Sequence, residues 1–111
     1  MIEVNYLMDY AKTLKDSYHN WVQKNDNSSF FDVEFIHGNK YIKVLTVNQP
    51  YTHRSAHSFI VKEDIYTKDG VLKFSKGDIL KAATIKAPAT NFSRGSVFNP
   101  DSYKNFSWAG L

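Results

Sequence analysis

The sequence predicts an α+β fold in which an N-terminal amphipathic helix packs on an antiparallel sheet of about five strands. Two changes of pattern carry that expectation. Apolar residues recur at three- and four-residue steps from Ile2 to Val22, and from Phe31 onward the period becomes two, with turn residues between the alternating runs. Size bounds it further: 111 residues with eight Phe, seven Tyr and two Trp can close one core and are too few for two domains of typical size. The expected layout is one domain that folds alone or as a small homo-oligomer, with the helix over about 2–24, the sheet over about 30–86, and a C-terminal loop and tail over 87–111.

The helix carries Val4, Leu7, Met8, Ala11, Leu14, Tyr18, Trp21 and Val22 as its apolar stripe, with Glu3, Asp9, Lys12, Asp16 and Asn20 on the other side. A membrane-surface helix would show a strongly basic polar face; this one mixes acids and bases, so the stripe is expected to cover a sheet. Asn25-Asp26-Asn27-Ser28-Ser29 supplies the stop signal. Phe31, Val33 and Phe35 then alternate with Asp32 and Glu34 as a half-buried strand, and Gly38-Asn39 reads as a two-residue hairpin turn.

The second strand, Lys40 to Asn48, sets Ile42, Val44 and Thr46 on one face and Tyr41, Lys43, Leu45 and Val47 on the other. A loop from Gln49 to Arg54 follows. Ser55 to Lys62 is the third strand, with His57, Phe59 and Val61 on one face and Ala56, Ser58 and Ile60 opposite. Asp69-Gly70 and Ser75-Lys76-Gly77-Asp78 are tight turns flanking a short strand, Val71 to Phe74, before a last strand from Ile79 to about Ile85. Asn91 to Asn99 reads as loop, and Asn99-Pro100-Asp101-Ser102 as the start of a helical turn ahead of an aromatic tail reaching Trp108.

Several classes fall away on composition. Without cysteine there is neither a disulfide framework nor a thiolate metal site, which suits a reducing compartment. Glu3, Asp9 and Lys12 interrupt the first fourteen residues where a signal peptide needs an apolar run, so neither export nor a membrane partner is expected. The His53 and His57 pair would suit a metal on a helix, but on a strand four residues span roughly 13 Å, so no metal ligand is expected there. Asp32 with Glu34, and Glu63 with Asp64, lack the apolar surroundings that tune a general acid. No phosphate-binding glycine loop, nucleophile elbow or metalloprotease helix is present. No catalytic residue and no cofactor are expected; histidine-dependent phosphodiester chemistry is the one catalytic alternative left open.

Charge is unevenly placed. From Met1 to Gly70 eight Lys/Arg face nine Asp/Glu, a net of −1; from Val71 to Leu111 six face two, a net of +4. Lys73, Lys76, Lys81, Lys86, Arg94 and Lys104 are interleaved there with Phe74, Tyr103, Phe106 and Trp108. Cations attract phosphates and ring faces accept bases, so this pattern points to a phosphate-bearing ligand. The competing reading is that the lysines keep a sheet edge soluble. Pairing of the third strand with Ile79–Ile85 would bring Arg54, His57 and Lys81 towards one end of the sheet, with Lys86 and Arg94 reaching in from the following loop. The candidate ligand-binding residues are thus Arg54, His57, Lys73, Lys76, Lys81, Lys86, Arg94 and Trp108, although a single His on a largely apolar strand, as His57 is, more often serves as a satisfied core histidine.

At Arg54-Ser55-Ala56-His57-Ser58-Phe59, and at Lys81-Ala82-Ala83 through Lys86-Ala87-Pro88-Ala89 to Arg94-Gly95, the chain resembles a group of small, mostly uncharacterised proteins of tailed bacteriophages. Their pattern is Arg-Ser-x-His-x-Phe, then Lys-Ala-Ala-x-x-Lys-Ala-Pro-Ala, often with Arg-Gly nearby, and the resemblance covers roughly the second half of the chain. It implies a viral origin and action in the host cytoplasm, and carries no activity with it. An aromatic residue often stands in that pattern where this chain has Thr84 or Ile85. Three partner classes follow: nucleic acid, favoured slightly; a small host nucleotide signal sequestered by an anti-defence protein; and a host protein held through Tyr51, Phe92, Phe98 and Trp108.

Overall fold

The computed structural model describes residues 2–22, 31–48 and 53–111. The expected loop at Asn25–Ser29 and the first four residues of that at Gln49–Arg54 fall outside them; His53 and Arg54, read as loop, instead open the third strand, paired with Asn48 and Val47. Helix α1 runs Val4–Val22 and lies on one face of a five-stranded sheet. Its strands are β1 (Phe31–His37), β2 (Tyr41–Asn48), β3 (His53–Val61), β6 (Asp78–Lys81) and β7 (Gly95–Ser96), adjacent in that order and all antiparallel. Two further strands, β4 (Ile65–Tyr66) and β5 (Leu72–Phe74), form a separate ribbon. The α+β architecture is therefore as the periodicity predicts.

Two strands differ from expectation. Val71 to Phe74 leaves the main sheet to pair with Ile65–Tyr66, and the fifth place is taken by Gly95–Ser96, inside the stretch read as loop. Strand β6 also ends at Lys81 instead of near Ile85. There the Thr84 hydroxyl accepts the backbone N–H groups of Lys86 and Ala87, and Ala83 and Thr84 both donate to the Ala87 carbonyl. A side-chain acceptor that satisfies local amides competes with the ladder, so the strand curls into a loop over residues 83–87.

The helix buries Leu7, Tyr10, Ala11, Leu14 and Tyr18. That face is rotated from the expected stripe: Tyr10 is 0 % exposed, whereas Met8 is 64 % and Val4 and Trp21 are similarly open. The reason is that α1 is covered on two sides. The sheet offers Phe31, Val33, Ile42, Val44, Ile60 and Ile79, and the chain beyond β7 returns to offer Val97 and Tyr103, with Phe106, Trp108 and Leu111 packed on the same core. Trp108 sits 5.1 Å from Tyr18, 5.2 Å from Trp21 and 5.9 Å from Phe31, ring centre to ring centre, and its amide donates to Ser17 Oγ. The aromatic tail packs back; Pro100–Ser102 is the short 3-10 turn that starts it.

The opposite, open face carries a smaller core of Phe59, Val61, Phe74 and Leu80, with Tyr41, Ile65 and Ala82 against it. Phe74 comes from the ribbon. Gly77 allows the turn into β6, having φ of +91° and lying where a Cβ would meet the Phe98 ring at 2.4 Å.

Candidate functional site

The open face carries the candidate site, a cavity of about 250 Å³ at the β1–β2 hairpin end, lined by Ile36, Gly38, Asn39, Lys40, Tyr41, Lys43, Phe59 and Lys86. Register builds it. Ile36 pairs with Lys43 and Lys43 with Phe59, so three strands place these side chains in one row. Tyr41 stands beside the row, its ring edge-on to Phe59 at 6.0 Å. The two-residue turn lies one residue further along than expected: Gly38 donates its N–H to the Tyr41 carbonyl at 2.9 Å, leaving Asn39 and Lys40 as the two loop residues. A Cβ on residue 38 would lie 3.1 Å from that carbonyl, which is why a glycine suits the position. Lys62 then fastens the hairpin, its amide donating to the Lys40 carbonyl and its ammonium to the Gly38 carbonyl. Lys86 reaches the cavity from the Thr84-braced loop.

The lining contains three lysines and no carboxylate. The floor is apolar: Phe59 is 2 % exposed, and the Lys43 ammonium stands 5.9 Å above its ring centre. Glu34, on the same face, is engaged elsewhere by a two-pronged contact with Arg54, at 2.8 Å from Nε and 3.2 Å from Nη2. The Arg54 guanidinium holds the Glu34 carboxyl below its ordinary pKa. Asp32 is likewise taken up. Burial raises its pKa, but the Val33 amide and the Lys15 ammonium outweigh that and hold it below its ordinary value.

Of the residues singled out from the sequence, the structure brings only Lys86 to this cavity. Strands β3 and β6 do pair, with Ser58 opposite Lys81, Phe59 opposite Leu80 and Ile60 opposite Ile79, but the side chains diverge. Arg54 is bound to Glu34, and Lys81 is exposed on the helix side across from Ser58. The Lys73 ammonium lies over Phe74 in the ribbon at 5.6 Å, and Lys76 occupies the following turn, its amide bonded to Asp64. The Arg94 guanidinium covers the Phe92 ring at 4.4 Å, with its Nε buried and unpaired among the described groups. Trp108 belongs to the helix-side core. Phe74 and Tyr103 are buried too, so apart from the Lys73 ammonium over Phe74 these rings offer the lysines no shared open surface.

His57 is turned by a β-bulge. Val44 pairs with Ser58 and Leu45 with Ala56, which leaves His57 as the extra residue and directs both it and Ser58 towards the helix. It is 5 % exposed, and both ring nitrogens are engaged. Nε2 lies 2.8 Å from the Ser107 carbonyl, which can only accept, so Nε2 carries the proton. The neutral ring then offers Nδ1 to the Ser58 hydroxyl at 3.0 Å, and Ser58 Oγ accepts the Tyr10 hydroxyl at 2.8 Å. Burial depresses the His57 pKa, a shift the Ser107 carbonyl only partly offsets. Burial also raises that of Tyr10. The group is a directional, satisfied chain that ties helix, sheet and tail together.

Lys40, Lys43, Tyr41 and Phe59 were not among the sequence candidates. Their signal lay in the hairpin register, since a turn at 39–40 sets Ile36, Lys43 and Phe59 abreast. Among the described residues no three His, Asp or Glu side chains gather as a metal requires, and no helix is long and apolar enough to cross a membrane. Comparison with protein-family models, with curated proteins and with solved structures finds no match to this chain.

Proposed function

We propose that this is a non-catalytic bacteriophage accessory protein that binds a phosphate-bearing ligand on the open face of its sheet, with nucleic acid ahead of a small nucleotide. One observation carries the reading: Lys40, Lys43 and Lys86, from two separate parts of the chain, converge over an apolar floor containing Tyr41 and Phe59 with no carboxylate among them. Fixed cations around a concave, partly aromatic surface raise the local concentration of a phosphate and give an attached base something to lie against. The engagement and burial of His57 support binding over histidine-dependent phosphodiester chemistry. The viral origin and host cytoplasm rest on the resemblance of the Arg54–Phe59 and Lys81–Gly95 segments alone.

The cavity's modest size favours a second reading, capture of a small host nucleotide signal by an anti-defence protein. Salt separates the two. Each phosphate of a single strand that the lysines neutralise adds about −0.7 to the slope of log K on log salt, so a strand engaged at several phosphates is more salt-sensitive than a small nucleotide. Titration of the protein with single-stranded DNA, RNA, duplex DNA and nucleotides at low and moderate salt makes the test. Lys43→Ala and Lys86→Ala should weaken any phosphate ligand, whereas a host-protein partner docked through Phe92 and Phe98 would be indifferent to both. Oligonucleotide binding unchanged in the two variants would refute this site.

A further inference from the structure

We infer, resting on the phosphate reading, that the cavity recognises a terminal phosphomonoester on a single unstacked nucleotide: a mononucleotide, or the phosphorylated end of a single strand. Three features point there. Charge is the first. A phosphomonoester carries about −1.5 to −2 at neutral pH, with a second pKa near 6, against −1 for an internal or cyclic diester. Three lysines converging without a carboxylate leave the larger excess of positive charge when a diester sits among them, so the arrangement suits the dianion better.

Size is the second feature. At about 250 Å³ the cavity falls below the roughly 300–1,000 Å³ of pockets that enclose drug-sized ligands, a volume that suits one nucleotide better than a run of several. The third is the floor. Phe59 is buried beneath the Lys43 ammonium, with Tyr41 half-buried beside it and Ile36 open at the rim, and a base reaches this floor only if it is free of its own stack, which a duplex interior does not allow.

The backbone of this cradle is set before any ligand arrives. Lys40 is held by Lys62 and the Gly38–Tyr41 hydrogen bond, Lys43 by pairing on both sides in the sheet, and Lys86 by the Thr84 hydroxyl. Only the lysine side chains need to order on binding, which limits the entropy lost there.

The test compares 3′-fluorescein-labelled hexathymidylate bearing a 5′-phosphate with the same strand bearing a 5′-hydroxyl, by anisotropy at low salt, at pH 7.5 and pH 5. A strand with an unlabelled 3′-phosphate, adenosine 5′-monophosphate and its 3′,5′-cyclic diester serve as competitors. The inference expects at least tenfold tighter binding of a phosphorylated end over the hydroxyl strand at pH 7.5. That ratio should narrow at pH 5, the linear monophosphate should compete better than the cyclic one, and Lys43→Ala or Lys86→Ala should abolish the preference. A strand that outcompetes the mononucleotide assigns strand ends as the source; equal competition assigns free nucleotide; both support the inference. Equal affinity for phosphorylated and hydroxyl strands, with loss of binding in the lysine variants, would overturn terminal recognition and leave phosphate binding standing. Absence of binding to every probe would overturn both.

Discussion

Ser58 sits at the centre of the buried polar chain, accepting from Tyr10 and donating to His57 Nδ1, and its removal makes an unusual prediction. Ser58→Ala deletes one oxygen but orphans two groups, the Tyr10 hydroxyl and the imidazole Nδ1, in a site where Tyr10 and Ser58 are both fully buried. Each unpaired buried group costs about 1–3 kcal/mol, so the variant, with two of them, should lose about 2–6 kcal/mol. Tyr10→Phe is milder, at about 0.5–1.5 kcal/mol, because Ser58 keeps its bond to His57. Combining them should restore stability: in the Ser58→Ala background the Tyr10 hydroxyl is a liability, and its deletion should recover about 1–2 kcal/mol. Urea unfolding of the four proteins at pH 7.5 measures the cycle, and a Tm difference of about 4 °C per kcal/mol gives an independent check. A double variant as unstable as the sum of the singles, with no recovery, would refute the directional chain.

Acid should destabilise the protein through His57. Its folded pKa is depressed by burial, so the unfolded chain binds the proton more readily. The stabilisation is present above the unfolded value near 6.5 and is lost as pH falls from there through the folded pKa. A stability–pH profile should therefore fall on acidification below about 6.5 in the wild type and flatten in His57→Gln, measured relative to each protein's own value at pH 8. Gly77→Ala should cost about 1–3 kcal/mol by urea unfolding, since φ of +91° is unfavourable for an L side chain and the new methyl meets Phe98. A loss below 0.5 kcal/mol would mean the turn relaxes. Thr84→Val, which removes the acceptor for the Lys86 and Ala87 amides, should weaken phosphate-ligand binding several-fold by anisotropy without changing the urea midpoint much, because the loop it braces is exposed.

Much of the architecture was legible because the burial that shapes it is written into period. Val33, Ile42, Val44 and Ile60 alternate with polar or opposite-face residues, and that alternation fixes which side of each strand meets the helix. The features that were not legible depend on contacts distant in sequence. Tyr10, outside the expected stripe, is buried because Ser58 of the sheet holds its hydroxyl and Tyr103 and Phe106 fold back against its ring. The bulge that swings His57 inward shifts a two-residue period by one, which no local pattern announces. Gly95–Ser96 is too short for any periodicity and is recruited to the sheet by pairing with Asp78 and Ile79.

Charge misled for a related reason. The first seventy residues are nearly neutral by count, so Lys40 and Lys43 did not stand out. Yet Asp32 and Glu34 are occupied by Lys15 and Arg54, and the neutrality is not local to the lysines. The six cations of the last third, dense along the chain, are spread over the ribbon, the helix side and the 83–87 loop once it folds.

The return of the C-terminal segment over α1 also sets an order of events during synthesis. Ser17 and Trp108, joined in the finished structure, are 91 residues apart. At about 5–20 residues per second the helix precedes its cover by roughly 5–18 s. Throughout that interval the side of α1 that the tail will cover, including the edges of Tyr10 and Tyr18 that meet Tyr103 and Trp108, stays open to whatever surrounds the nascent chain. A chaperone that grips exposed aromatic helices would meet this one early and be displaced from its tail-covered side when residues 103–108 arrive.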